Sequence, residues 1–149
     1  MHWTEIEEKV RFNEVDQWGM AWHGHYLAWF EIGRMALVKP FDLLPDRMVE
    51  MGYIAPVVRL NCEYKQSAVF GDDIIIRTTA TKPEIAALMF HSEVVRKKDR
   101  ALLAKGDTMQ ILMTVDKVMI YRLDGELEQR IHRLLDHCGS TAGSRGPGC

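Results

Sequence analysis

An acid and a histidine seven residues apart, Asp16 and His23, have the types and spacing in this chain most suited to chemistry. Both lie in the run from Val10 to Arg34, VRFNEVDQWGMAWHGHYLAWFEIGR. A strand-like segment ends at the lone carboxylate of Asp16, a Trp18-Gly19 turn follows, and His23 stands where a strongly apolar helix is expected to begin. A carboxylate beside a helix N-terminus suits acyl chemistry. The acid either activates a water or attacks directly, and the sequence leaves both open. The unbonded N–H groups at the helix end, aided by the helix dipole, hold the charge that develops on the acyl oxygen. Donation by the His23 backbone requires nothing of the imidazole. The ordinary alternatives are a turn cap for Asp16 and a packing or capping role for His23.

Other polar residues in the run have plainer readings. Glu31 and Arg34 are three apart on the helix and can meet, so a buried ion pair is expected. Tyr26 reads as a core aromatic, and Glu14 as a surface acid. His23 and His25 with Asp16 and Glu14 would be a metal set only if the segment were not helical, because helix residues two apart do not share a face. No metal site is expected.

These residues need a frame. Partial alternation of Ile6, Val10 and Phe12 with charges predicts a strand over Trp3 to Asn13. His23 to Val38 is apolar around nearly its whole circumference, the mark of a buried helix, about 24 Å long. Pro40 should end it. A short helix is expected from Asp46 to Met51, stopped by Gly52. Strands are then expected over Ile54–Ala68, Ile74–Lys82, Ala87–Arg96 and Ala101–Asp116. Turns at Phe70–Asp73, Pro83-Glu84 and the hairpin tip Lys97–Arg100 separate them, and Val118–Arg122 would extend the last. On that last strand Ala104, Gly106 and Thr108 share a face at period two, leaving room for a helix to lie against the sheet. Glu126–His137 has helical spacing, and the tail from Gly139 to Cys149 is Gly/Ser-rich and expected to be flexible. This makes one domain over residues 1–138 followed by the tail.

With 149 residues the chain suits one domain with a sizeable core. A net charge of -2 provides no global basic field for nucleic acid, so any phosphate site must be local. Three cysteines, Cys62, Cys138 and Cys149, have no metal spacing and suggest reduced thiols in a cytoplasmic protein. The opening residues MHWTEIEEK lack the apolar core of a secretory signal, and no apolar run is long enough to span a bilayer.

The order of elements, one antiparallel β-sheet wrapped around a long central buried helix, is the α+β hotdog fold. Together with the local motif it resembles the hotdog-fold acyl-CoA thioesterases, in particular the 4-hydroxybenzoyl-CoA thioesterase and YbgC-like group. That group's Asp, its Gly three residues on, its helix-start residue, its Tyr and its aromatic-Glu…Arg pattern are matched by Asp16, Gly19, His23, Tyr26, Phe30-Glu31 and Arg34. The later Phe-Gly-Asp is matched by Phe70-Gly71-Asp72, preceded by Tyr64-Lys65-Gln66-Ser67-Ala68. The chain departs from the pattern at Met20-Ala21-Trp22 and at His25, where relatives often carry Asn; these positions bear on the acyl pocket.

The resemblance implies hydrolysis of a small or medium acyl-CoA, or of an acyl group on a carrier protein, to a free acid and a thiol. It implies Asp16 and His23 as catalytic residues and Gly19, Trp22 and Tyr26 as substrate-binding positions. Arg59, Lys65, Arg96, Lys97 and Lys98 are the candidates for the coenzyme A phosphates. No cofactor is implied beyond coenzyme A as part of the substrate. A dimer, or a tetramer built from two dimers, is expected. The competing readings are a non-catalytic acyl-binding or scaffold protein and a hotdog dehydratase or hydratase. The second lacks its usual His and Phe-Pro-Gly pattern here.

Overall fold

The computed structural model describes residues 1–83 and 86–139. Glu84 and the tail beyond Gly139 lie outside them. Five strands form one antiparallel sheet: β1 (Thr4–Lys9), β3 (Val57–Tyr64), β4 (Asp73–Thr81), β5 (Ala87–Arg96) and β6 (Leu102–Ile111), in the order β1-β4-β5-β6-β3. Two short strands, β2 (Tyr53–Ile54) and β7 (Met113–Thr114), pair separately. The long helix α1 (His25–Val38) lies against the sheet and contacts β4, β1 and β5. Helix α2 is Pro45–Glu50, and α3 (Gly125–His137) closes the described chain.

Small residues on β6 make room for the Phe30 ring of α1, whose axis lies over β4, β1 and β5. Ala104, Gly106 and Thr108 are all buried, and a Cβ on Gly106 would lie 2.9 Å from the Phe30 ring of α1. The helix buries Tyr26, Trp29, Phe30, Gly33, Arg34, Leu37 and Val38, while Ala28 and Glu31 are exposed. One apolar cluster joins the first half of α1 to Val10, Ala68, Ile74, Ile76, Val94 and Leu103. A second joins its far end to Leu127, Ile131, Leu134 and Leu135 of α3. The hotdog arrangement is thus present, with the N-terminal end of its helix beside the motif.

Several boundaries differ from expectation, each for a physical reason. β1 ends at Lys9, because Phe12–Glu14 turn as a 3₁₀ segment. Glu14 is not a surface acid. It is 6% exposed, accepts the Arg11 N–H at 2.8 Å, and accepts the Trp29 indole N–H of α1 at 3.1 Å. The strand expected over Ile54–Ala68 is split, since Pro56 has no N–H to donate and separates β2 from β3. The last strand is interrupted at Leu112, whose N–H turns to the Ala86 carbonyl at 3.0 Å. Val118–Arg122 does not extend it: the chain folds back at Lys117 (φ 66°), leaving a single bridge between Met113 and Met119. The helix expected from His23 begins at His25. In the Glu31–Arg34 ion pair only Arg34 is buried; Glu31 lies on the outer side of the helix, its side chain 49% exposed.

Candidate active site

The Asp16 turn is a narrow hairpin. Val15 and Ala21 pair across it, the Asp16 N–H donates to the Met20 carbonyl at 2.8 Å, and the Trp22 N–H donates to the Glu14 carbonyl at 2.9 Å. The Asp16 carboxylate closes the turn itself: Oδ1 accepts the Trp18 N–H at 2.8 Å and the Met20 N–H at 3.2 Å. Gly19 sits at φ 76°, a left-handed conformation that glycine adopts without steric cost. Oδ2 has no partner among the described residues, and no cation pairs with the carboxylate. Asp16 is therefore a turn cap with one oxygen uncommitted. The turn rests on the segment after β3, where the Ala21 N–H donates to the Ala68 carbonyl at 2.8 Å and the Phe70 N–H to the Gly19 carbonyl at 3.0 Å.

His23 follows in the same hairpin, two residues before the helix. The first helical bonds run from the His25 N–H to the Trp22 carbonyl at 2.9 Å and from the Leu27 N–H to the Gly24 carbonyl at 3.2 Å. Neither the His23 N–H nor the Gly24 N–H donates to another group among the described residues. They are the unbonded donors of a helix end. The Tyr64 hydroxyl of β3 donates to the His23 carbonyl at 2.9 Å. Tyr26, one residue into α1, is buried, and its hydroxyl accepts the Ala68 N–H at 2.9 Å. Burial pushes the Tyr26 phenol pKa above its ordinary value, against the lowering effect of that bond. Ala21, His23, Tyr26, Tyr64, Lys65, Gln66 and Ser67 line a recess of about 250 Å³. Trp22 is 52% exposed, and its indole meets the rings of His23 at 4.9 Å and His25 at 5.7 Å.

The structure does not join the Asp16 carboxylate to His23 by a hydrogen bond. It holds them on one hairpin, with His23 three residues beyond the partner of Asp16, a backbone separation on the order of 10 Å at strand spacing. Nor does it gather the basic candidates. Arg96 is committed to Asp72 at 3.5 Å, to Asp99 at 2.9 Å and to the Ser67 carbonyl at 3.3 Å. Lys97 pairs with Glu7 at 2.9 Å and Lys65 with Glu63 at 3.2 Å. Lys98 and Arg59 are exposed and unpaired among the described residues. They stand apart: Arg59 is opposite Met109 on β6, seven residues from the tip-side end of that strand, or roughly 24 Å along it.

Two residues of the site escaped sequence reasoning. Glu14 carries no local signal for burial, because its partner Trp29 is fifteen residues away. Tyr64 stood within the matched motif, yet its bond to His23 spans forty-one residues.

The fold is a hotdog, with the Asp16 turn beside an open helix end. The sequence model of the Thioesterase superfamily matches residues 19–102, more than half of the chain. The chain belongs to that superfamily. It is 38% identical over 78 residues to a putative acyl-CoA thioesterase, YneP, of Bacillus subtilis, covering 52% of this chain and 56% of the relative. It thus spans little more than half the length of that relative. The acyl-CoA thioesterase YbgC of Haemophilus influenzae is 21% identical over 85% of this chain and 92% of its own length. Among solved structures, a DHNA-CoA thioesterase from Staphylococcus aureus superposes with a TM-score of 0.80 at 24% identity, covering 95% of this chain and all of that one. That likeness speaks to the fold. No helix among the described residues is long and apolar enough to cross a membrane.

Proposed function

We propose that the protein is an acyl-CoA thioesterase, hydrolysing the thioester of a small or medium acyl-CoA to a carboxylic acid and free coenzyme A. The observation that carries this reading is the pairing, on one hairpin, of an acid with an uncommitted oxygen and a helix end with unbonded N–H groups. Asp16 Oδ2 deprotonates a water that attacks the thioester carbon, or attacks that carbon itself to form a mixed anhydride that water then hydrolyses to the free acid. The His23 N–H receives the negative charge on the acyl oxygen, and the thiolate leaves with a proton from solvent. Gly19, Trp22 and Tyr26 surround the reacting group. Lys98 remains the phosphate contact this reading favours, because Arg96, Lys97 and Lys65 already serve acids. The chemistry calls for no metal or redox cofactor. An acyl group on a carrier-protein phosphopantetheine presents the same thioester and is a second substrate form.

The site belongs to an oligomer in this reading, in a cytoplasmic protein. The two sheet edges differ. β1 presents Glu5, Glu7, Glu8 and Lys9, a charged edge that resists pairing. Among the described residues β3 is unpaired on its outer side, and it exposes Val57, Val58, Leu60 and Tyr64. Pairing of β3 with a second copy gives a dimer, and two dimers give the tetramer usual in the family. Light scattering on the purified protein should give two or four chain masses; a monomer at micromolar concentration would remove this part.

The activity is tested by thiol release from short, medium, long and aromatic acyl-CoAs, with wild type and Asp16→Ala side by side. Release from some member that collapses in the folded variant is expected. No release across the panel, or equal release from the variant, would defeat the mechanism and leave an acyl-binding scaffold as the better account.

A further inference from the structure

The start of α1 is tied to a strand forty residues away, and this tie has a consequence for the donors just described. In a regular helix the His23 carbonyl would accept from the N–H four residues on, that of Leu27. It does not. The Leu27 N–H goes to Gly24, three residues back, as the His25 N–H goes to Trp22. The first turn is wound tightly, and the His23 carbonyl is taken instead by the Tyr64 hydroxyl at 2.9 Å.

We propose that Tyr64 is a positioning residue for the acyl-oxygen donors: by taking the His23 carbonyl out of the helix ladder it fixes the helix start and the orientation of the adjoining Gly24 N–H. This rests on the thioesterase reading of the site. The His23–Gly24 peptide is planar and trans, so pinning its carbonyl also fixes the direction of the Gly24 N–H. A bonded carbonyl also polarises the N–H of the same peptide and makes it a better donor. Tyr64 is itself held in place. Its ring meets the edge of Tyr26 with centroids 5.1 Å apart, and Tyr26 is pinned by the Ala68 N–H. Burial, with Cys62 beside it, raises the phenol pKa, so the hydroxyl stays a donor at neutral pH. The side chain is 48% exposed, so removing its oxygen leaves the core untouched.

The test uses an acyl-CoA that the wild type hydrolyses, with Tyr64→Phe and Asp16→Ala compared. Tyr64→Phe should lower kcat about tenfold, less than loss of a direct donor, with KM within about twofold. The amide nitrogen resonance of Gly24 should move in Tyr64→Phe and stay in Asp16→Ala. Difluorotyrosine at position 64, whose phenol ionises at lower pH, should give wild-type kcat at acid pH and lose it as pH rises, where wild type does not. A purely structural hydroxyl would not produce that profile. Wild-type kcat in Tyr64→Phe, or an unmoved Gly24 resonance, would overturn the inference. If Asp16→Ala still loses activity in that case, the thioesterase reading stands without it.

Discussion

Two aspartates close two turns in this protein, and they end in different surroundings. Asp16 accepts the N–H groups of Trp18 and Met20, and Asp72 accepts that of Val69 at 3.0 Å. Each turn contains a glycine at positive φ, Gly19 at 76° and Gly71 at 86°. Arg96 makes the difference. Its Nε lies 3.5 Å from Asp72 Oδ2, and both side chains are largely buried. Asp16 has no such cation among the described residues. An acid whose charge is matched by a nearby guanidinium serves as a staple. One that caps a turn with a single oxygen and meets no cation leaves the other oxygen uncommitted. The turns also touch, since Met20 pairs with Val69, so the Asp72 corner is the platform on which the Asp16 turn rests.

Exchanging carboxylate for amide at the two positions should separate these roles. Asp16→Asn keeps an oxygen that can accept from Trp18 and Met20 but loses the base or nucleophile. Thiol release should fall by roughly 10²–10⁴, with the thermal midpoint nearly unchanged. Retained activity would mean that Asp16 is only a cap. Asp72→Ala should do the reverse. It leaves the largely buried Arg96 with one acid fewer and should cost about 1–3 kcal/mol in urea unfolding, while kcat per folded molecule stays within a few-fold. A selective loss of kcat instead would show that the platform holds the site more tightly than the comparison implies.

Away from both turns, Gly106→Ala probes the surface they share. A Cβ there would meet the Asn61 carbonyl at 2.1 Å and the Phe30 ring at 2.9 Å. Overpacking of this kind typically costs about 1–3 kcal/mol, read as a lower urea midpoint; an unchanged midpoint would mean that Asn61 and Phe30 do not press on Gly106. The smallest effect is expected at the hairpin tip. The Ala101 N–H first, and then Arg96, hold the Asp99 carboxyl below its ordinary pKa. A lowered folded pKa gives a contribution that is present above the ordinary carboxylate value and lost as pH falls through the folded one. The Ala101 amide proton should titrate below the ordinary carboxylate range, and in Asp99→Ala it should not titrate there.

The fold was largely legible because it rests on local patterns. A run apolar on every side gave α1, and alternation and turn residues gave the strands; the small-residue face at Ala104, Gly106 and Thr108 receives the Phe30 ring, while the helix lies over β4, β1 and β5. The Asp16 turn was legible for the same reason, since an Asp and a Gly three residues on carry their own geometry. What failed to show depended on partners far along the chain. Glu14 looked like a surface acid because Trp29 is needed to bury it. Lys97 looked like a free cation because Glu7 is needed to occupy it. The helix seemed to start at His23 because helical propensity does not reveal that Tyr64 holds its carbonyl.

The sequence by itself therefore determined the elements and the family motif, both set by propensity and spacing over a few residues. Tertiary structure alone decided which charges stay unpaired, where the helix begins and which N–H groups remain open. Those outcomes depend on which donor reaches which acceptor once strands and helix are packed, and a hydrogen bond spanning tens of residues leaves no mark on either local stretch that makes it.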